Sequence, residues 1–489
     1  MIAQGERHML SKQWIDDDLR REAGQITEIL EQALHEAIAG ADERVALPQD
    51  PDRVLEALKE PLPETGSGLR STIEQLLDFQ QRAGANTLGP RCFHFVIGGN
   101  TPAAHAADLL ATAFDMIAYT WVIAPVAVRM EIQALTWLKE LLGLPERMTG
   151  IMVTGATMAN FTGLAAARQW WGEQHGFDVS DTGMAGQPQM PVLTSGYVHA
   201  ATRKVLSLQG IGRGHIQEFR RDDLGRVDLE GLEGALQRLD GAPAVMVVNA
   251  GEVNAGDFDP VNDMIDIARQ HNCWVHVDGA FGLFAALSPR TKHLVRGVER
   301  ADSVTVDGHK WLNVPYDSGY AFVRDHGLLA RSFRYSADYL PNENDPFPTL
   351  GAIGPESSRR GRGLAVWATL KAYGREGHRA IVEHCLDLAA YCGERVRACE
   401  DLELLANVQL NITPFRFNPG GLDDAELDQL NHRLGQAVLE DGNFLVGTSR
   451  LGARTIFRPA FSNWRTRPGD VDAFLDTVLS LGRALHRTP

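Results

Sequence analysis

Cysteine is scarce in this 489-residue chain: five in all, at positions 92, 273, 385, 392 and 399. The number is odd and no two form a CxxC pair, which argues against a disulfide scaffold and against a zinc site. The last three are seven apart, so they share one face if their segment is helical, as small buried side chains would. No 18-residue uncharged apolar run is present, which argues against a transmembrane helix. The opening MIAQGERHMLSKQWIDDDLR lacks the apolar stretch of a signal peptide, and a cytoplasmic location is expected. Basic charge is also short, with 47 Lys and Arg against 63 Asp and Glu, a formal net charge of −16. That balance repels phosphate backbones and anionic membranes, so neither is expected as a main partner. Both GxGxxG and GxxxxGKS are missing, which weakens dinucleotide and P-loop readings.

What is present is ordinary globular texture, 44% hydrophobic with 48 glycines, enough to bury a large core without staples. Residues 1–84 read as a helical arm, with one helix in DLRREAGQITEILEQALHEAI, a proline-bearing connector, and a second helix near 71–84. Residues 85–375 read as a large α/β domain. Its β-rich runs PVLTS (191), AVMVVN (244), CWVHVDG (273), SVTVDG (303) and GYAFVRD (319) are interspersed with amphipathic stretches such as LEGLEGALQRL and PVNDMIDIARQ. A mainly parallel sheet covered by helices on both sides is expected. Residues 331–358 lack periodicity and read as a functional loop. Residues 376–489 read as a smaller α+β domain, with strands in VQLNITPFRF and TSRLGARTIFRPAF.

Ligands of such sheets bind at the carboxyl ends of the strands, and four features fall there. GIMVTGATMANF carries a small-residue turn running into a helix, where Ala156, Thr157 and free backbone N–H groups suit a phosphate; a plain N-cap explains Thr157 equally well. Asp278 ends CWVHVDG, and its small neighbours Gly279 and Ala280 leave room for a flat ring; a structural cap is the competing role. His199 follows PVLTS and can cover an aromatic ligand or move a proton, or serve only the fold. Lys310, in TVDGHKWLNVPYDSG, follows an apolar run and precedes Trp311 and Leu312, a setting in which an amine can act as a nucleophile. An aldehyde cofactor with a phosphate and a pyridine nitrogen needs an amine, a carboxylate, a phosphate cradle and a cover for its ring. The chain offers all four.

HVDGAFG, DGHKW about thirty residues later, and RRGRGLAVWATLKAYG near 359–374 together strongly resemble group II pyridoxal-phosphate-dependent amino-acid decarboxylases, above all their bacterial aromatic-decarboxylase-like branch. The resemblance runs from about 85 to 400. It implies fold type I (aspartate-aminotransferase-like), a homodimer with sites at the subunit interface, and pyridoxal 5′-phosphate as cofactor. It implies that Lys310 carries the cofactor as an aldimine, Asp278 pairs with the pyridine nitrogen and Ala280 packs near the ring. His199 would stack on the other face, Ala156, Thr157 and His309 would hold the phosphate region, and Asn249 would stand near the cofactor's oxygens. The implied reaction is decarboxylation of an L-amino acid, aromatic or related. The alternatives are oxidative deamination to an aldehyde, transamination, lysis of another bond, and a non-catalytic protein that retains the cofactor.

Three positions depart from the pattern. Asp307 stands where relatives often have a phosphate-binding Asn. Repulsion from a phosphate predicts that Asp307 turns away or accepts backbone hydrogen bonds. Asn249 replaces a Thr. Counting nine residues back from Arg359 gives Leu350 where many relatives have a loop tyrosine, with Tyr335 and Tyr339 as nearby substitutes, and this departure keeps the alternative reactions open.

Overall fold

Short strands rich in Val and Ile, buried on both faces, alternate with helices whose apolar stripes can cover them. The computed structural model describes residues 23–42, 45–47, 51–334 and 349–487 and shows this arrangement. Seven strands, β1 (Thr149–Val153), β2 (Val192–Thr194), β3 (Ile216–Glu218), β4 (Ala244–Asn249), β5 (Cys273–Asp278), β6 (Ser303–Asp307) and β7 (Gly319–Val323), form one sheet in the order β1-β7-β6-β5-β4-β2-β3. All pairs from β6 to β3 are parallel, and β7 is antiparallel to both its neighbours. The reason is length: the link from β6 to β7 is too short for the helical crossover that a parallel pair requires. The polar strand β3 has no apolar run to announce it.

Alternation sorts the core. Met246, Val248, Val275 and Val277 face one cluster with the helices Pro125–Leu142 and Val261–Gln270, while Val245, Val247 and Trp274 face the other with Ala156–Gln174 and Ala200–Leu208. A second sheet, in the order β10-β11-β9-β8, is antiparallel: β8 (Leu402–Leu404), β9 (Phe415–Phe417), β10 (Thr448–Leu451) and β11 (Arg454–Phe457). It has its own phenylalanine-rich core with the helices Asp424–Asp441 and Pro468–Arg487. The molecule thus has a large mixed-sheet domain and a smaller C-terminal one.

The helix Gly363–Arg397 is broken at Gly374, whose φ of 59° and ψ of −170° suit glycine alone. It packs in the large core as far as Leu386 and in the small one from Leu388 onward, so the helix joins the two domains. Cys385 is fully buried in the large core and Cys392 in the small one, and burial pushes both thiols up to about 12, so they fill space rather than react. The sequence's two early helices are Ala23–Ala39 and Leu69–Ala83. Of VQLNITPFRF only Phe415–Phe417 is strand, while TSRLGARTIF forms the hairpin β10–β11, turning at Gly452.

Candidate active site

Five strand ends converge on a cavity of about 300 Å3, and all eight residues expected at the site line it: Ala156, Thr157, His199, Asn249, Asp278, Ala280, His309 and Lys310. A larger cleft of about 850 Å3 beside residues 257–263 and 293–296 is lined by none of them. Position in the parallel sheet explains the convergence, because every crossover returns its functional loop to the same edge.

Beyond β1 the chain turns at Gly155 into the helix Ala156–Gln174, which no side chain caps. The first-turn N–H groups of that helix have no intrahelical acceptor and carry its positive dipole end, so they suit a phosphate. Thr157 lies inside the first turn, not at the cap. His199 caps the helix Ala200–Leu208 through Nδ1, which accepts from the Ala201 N–H at 3.1 Å and leaves Nε2 as the protonated nitrogen. Burial lowers its pKa most, Asp278 opposes this, and Lys310 and Arg458 reinforce it, so the ring is neutral. Asn249 spends its side-chain N–H on Asp259, at 3.1 Å, which leaves its carbonyl oxygen for the cavity. Asp259 also takes the Asn249 backbone N–H at 2.8 Å and the Ser195 hydroxyl at 3.0 Å, while full burial raises its pKa to about 6.

Asp278 ends β5 with Oδ2 accepting from Asn160 Nδ2 at 2.9 Å and Thr202 Oγ1 at 3.0 Å, and Oδ1 from the Ala280 N–H at 3.3 Å. Gly279 makes no room for a ring. A Cβ there would stand 2.9 Å from Leu283 Cβ and 3.2 Å from the Thr305 carbonyl oxygen, so the space is already occupied.

Lys310 follows β6, with Nζ 3.6 Å from Asp307 Oδ2 and 5.7 Å from the Phe281 ring centre. The expectation for Asp307 is overturned. It is buried, lines the cavity, makes no backbone hydrogen bond through its side chain, and pairs with His309 Nε2 at 3.1 Å as well as with Lys310. The Lys310 ammonium and the His309 ring both hold the same carboxylate oxygen, which keeps Asp307 turned toward the cavity. His309 in turn stacks on Tyr316, ring centres 3.8 Å apart. Asp307 Oδ1 and His309 Nδ1 are buried without a partner. A Cβ on Gly155 would lie 3.7 Å from that oxygen and 3.1 Å from His309 Cε1, so both residues share the corner of the uncapped helix start.

Leu350 is not at the site. It sits in the short turn Leu350–Ala352, 2% exposed, packed with Ile151, Val153 and Leu364. Tyr335 and Tyr339 lie outside the described residues. Sequence reading missed Asn160, Tyr197, Glu252, Phe281 and Tyr316 on the cavity wall. It also missed Thr202 and His276 behind it. For His276 a signal existed: two residues before Asp278 on a strand means the same face.

The groups present fit a phosphorylated pyridine aldehyde: an amine, a carboxylate and an uncapped helix start in one cavity, with only the Asp307 carboxylate at odds with a phosphate. The fold is that of the type I PLP-dependent enzymes, a large sheet domain with a smaller C-terminal one. Oryza sativa TDC with PLP and tryptamine matches it with a TM-score of 0.86 at 24% identity, covering 96% of this chain and 98% of that one, a likeness of fold. Residues 52–418 match the pyridoxal-dependent decarboxylase conserved domain, and the chain belongs to that family. An aromatic-L-amino-acid decarboxylase of Bacillus atrophaeus is 29% identical over 428 residues, 85% of this chain and 86% of that protein. An L-2,4-diaminobutyrate decarboxylase of Rhizobium meliloti (strain 1021) is also 29% identical, over 445 residues, 87% of this chain and 85% of that protein.

Proposed function

We propose that this chain decarboxylates an aromatic or related L-amino acid to an amine and CO2, using pyridoxal 5′-phosphate, as a member of the bacterial aromatic branch of its family. The observation that carries the reading is the meeting of Lys310, Asp278 and the uncapped helix start at Ala156 in one cavity. When bound, the cofactor supplies a carbonyl that condenses with amines and a protonated ring that accepts the electron pair left by departing CO2.

The chain's own residues divide the work. Lys310 Nζ is the anchoring amine. Asp278, through Oδ1, would pair with the ring nitrogen and favour its protonated form. Neutral His199 covers one ring face, and Ala280 packs near the ring. The carbonyl oxygen of Asn249 would stand near the cofactor's oxygens. The N–H groups at Ala156 and Thr157, with His309, hold the phosphate. The rings of Phe281, Tyr197 and Tyr316 on the cavity wall, and the name of the Bacillus relative, support an aromatic substrate.

A homodimer with the site at its interface is part of the reading. Leu109, Leu110, Phe114, Val122, Ile123 and Val126 are all exposed on consecutive segments, more apolar surface than one stretch of a lone subunit usually shows. We divide the chain into an arm (1–84), a large domain (85–375) and a small domain (376–489). No described helix is long and apolar enough to cross a membrane, which agrees with a cytoplasmic enzyme.

Purified protein supplied with cofactor and a panel of amino acids should release amine and CO2 in equal amounts from one of them. A carbonyl product without amine would instead establish oxidative deamination or transamination. Lys310→Ala should abolish the adduct that borohydride fixes in the unsubstituted protein.

A further inference from the structure

Behind Asp278 lies a chain of buried polar groups that the proposed reaction does not touch. Trp274, His276 and Asp278 alternate along β5 and therefore share a face, the one covered by the helix Ala156–Gln174. Trp274 Nε1 donates to Ser303 Oγ at 3.0 Å, and Ser303 Oγ lies 2.7 Å from His276 Nδ1. His276 Nε2 lies 2.8 Å from Asn160 Oδ1, and Asn160 Nδ2 donates to Asp278 Oδ2 at 2.9 Å. His276 and Ser303 are wholly buried, and Asn160 and Trp274 nearly so, which leaves no place for water to substitute. Gly163 makes the arrangement possible: a Cβ there would stand 2.7 Å from His276 Cε1.

Only one direction of donation satisfies every atom. The indole N–H can only donate, so Ser303 accepts it and gives its own proton to His276 Nδ1. Nε2 then carries the imidazole proton and gives it to the Asn160 carbonyl oxygen. From the other end the answer agrees, because an ionised Asp278 only accepts and Asn160 must show it an N–H. Burial pushes the His276 pKa down to about 4, which keeps the ring neutral as this order demands. With Thr202 also donating to Oδ2, that oxygen is fully engaged, and Oδ1 is the one left open toward the cavity.

We propose that His276, as a neutral imidazole protonated on Nε2, is a positioning residue that fixes the Asn160 amide so that it orients Asp278 toward the cofactor's ring nitrogen. The inference rests on the cofactor reading above. Its first test needs no variant: nitrogen NMR of the side chain in unsubstituted, cofactor-free protein should show an Nε2–H tautomer between pH 6 and 8. Next, His276→Phe, which fills the space without either nitrogen, should weaken cofactor binding about tenfold to a hundredfold, the scale of one hydrogen bond to a charged group. It should also shift the absorbance of the bound cofactor. His276→Gln, which can restore the N–H toward Asn160, should recover most of both. An Nδ1–H tautomer, or a His276→Phe protein with unchanged affinity and spectrum, overturns the positioning chain. Unsubstituted protein that takes up no cofactor would sink the parent reading instead, and the tautomer measurement tells the two failures apart.

Discussion

Asp307 is the residue at which charge and expected ligand conflict. Its carboxylate pairs with Lys310 and His309, yet its second oxygen is unpaired in the corner where a phosphate would sit. Two like charges a few ångströms apart in a half-buried site repel by more than a hydrogen bond returns. Asp307→Asn keeps the shape and removes the charge. It should tighten binding of pyridoxal phosphate about tenfold, the equivalent of ~1.4 kcal/mol. Titrating cofactor-depleted protein measures this, with unphosphorylated pyridoxal as the control. An equal gain for both ligands would mean that the carboxylate acts elsewhere than on the phosphate. Asp307 as a departure was legible in the sequence, but its direction was not. Which way a side chain turns depends on His309 and Lys310, and on Gly155 from a strand more than 150 residues earlier.

At the scale of elements, the RRGRG run shows what a family signature can be for. Arg359 makes a two-pronged buried pair with Glu131, at 2.8 and 2.6 Å. Arg360 reaches Asp108 at 2.5 Å, and Arg362 holds Asp317 and Glu356 at 3.1 and 2.8 Å. These pairs tie the segment after residue 349 to three separate parts of the large domain, and Gly363 lies against the backbone of Glu131, where a Cβ would come within 2.9 Å of Cα. Glu131 also accepts the Met152 N–H at 3.3 Å, which fastens β1 to the same point. Removing one partner of such a pair strands the other charge in the interior. Glu131→Gln should therefore destabilise the protein by roughly 3 kcal/mol, read as a lower denaturant midpoint at unchanged slope. A loss under about 0.5 kcal/mol would show that Arg359 finds another acceptor.

At the scale of the whole molecule, two consequences are measurable. His276 and His378 are buried, and desolvation pushes both from 6.5 down to about 4. As pH falls below 6.5 the unfolded chain takes up protons that the folded chain refuses, so stability drops until about pH 4 and then levels. Asp259, raised to about 6, works in the opposite sense below pH 6, since there the folded form binds its proton first. His94 is depressed to about 4 in the same way, and the three histidines together outweigh the two raised carboxylates, Asp259 and Glu252. Thermal midpoints should be lower at pH 5 than at pH 7, and His378→Gln should remove about a third of the histidine contribution. The second consequence concerns assembly. Leu110→Glu combined with Ile123→Glu, on the exposed apolar segments, should give monomers in sedimentation analysis. Dimers that survive both charges would place the interface on another face.

The sequence by itself determined the class of chemistry. Lysine, carboxylate and phosphate cradle each follow an apolar strand run, and a sheet with helical crossovers has only one edge to which such loops return, so motif and strand end sufficed to bring Lys310, Asp278 and Ala156 together. It also determined most elements, because burial on both faces writes itself as unbroken apolar runs. Local patterns do not encode contacts between distant parts of the chain, and those the tertiary structure decided: the burial of Leu350 in the core, the inward turn of Asp307, and the linkage of His276 to Asn160 across 116 residues of chain. A buried polar atom takes its partner from whatever the fold sets within 3 Å of it, and sequence spacing carries no record of that choice.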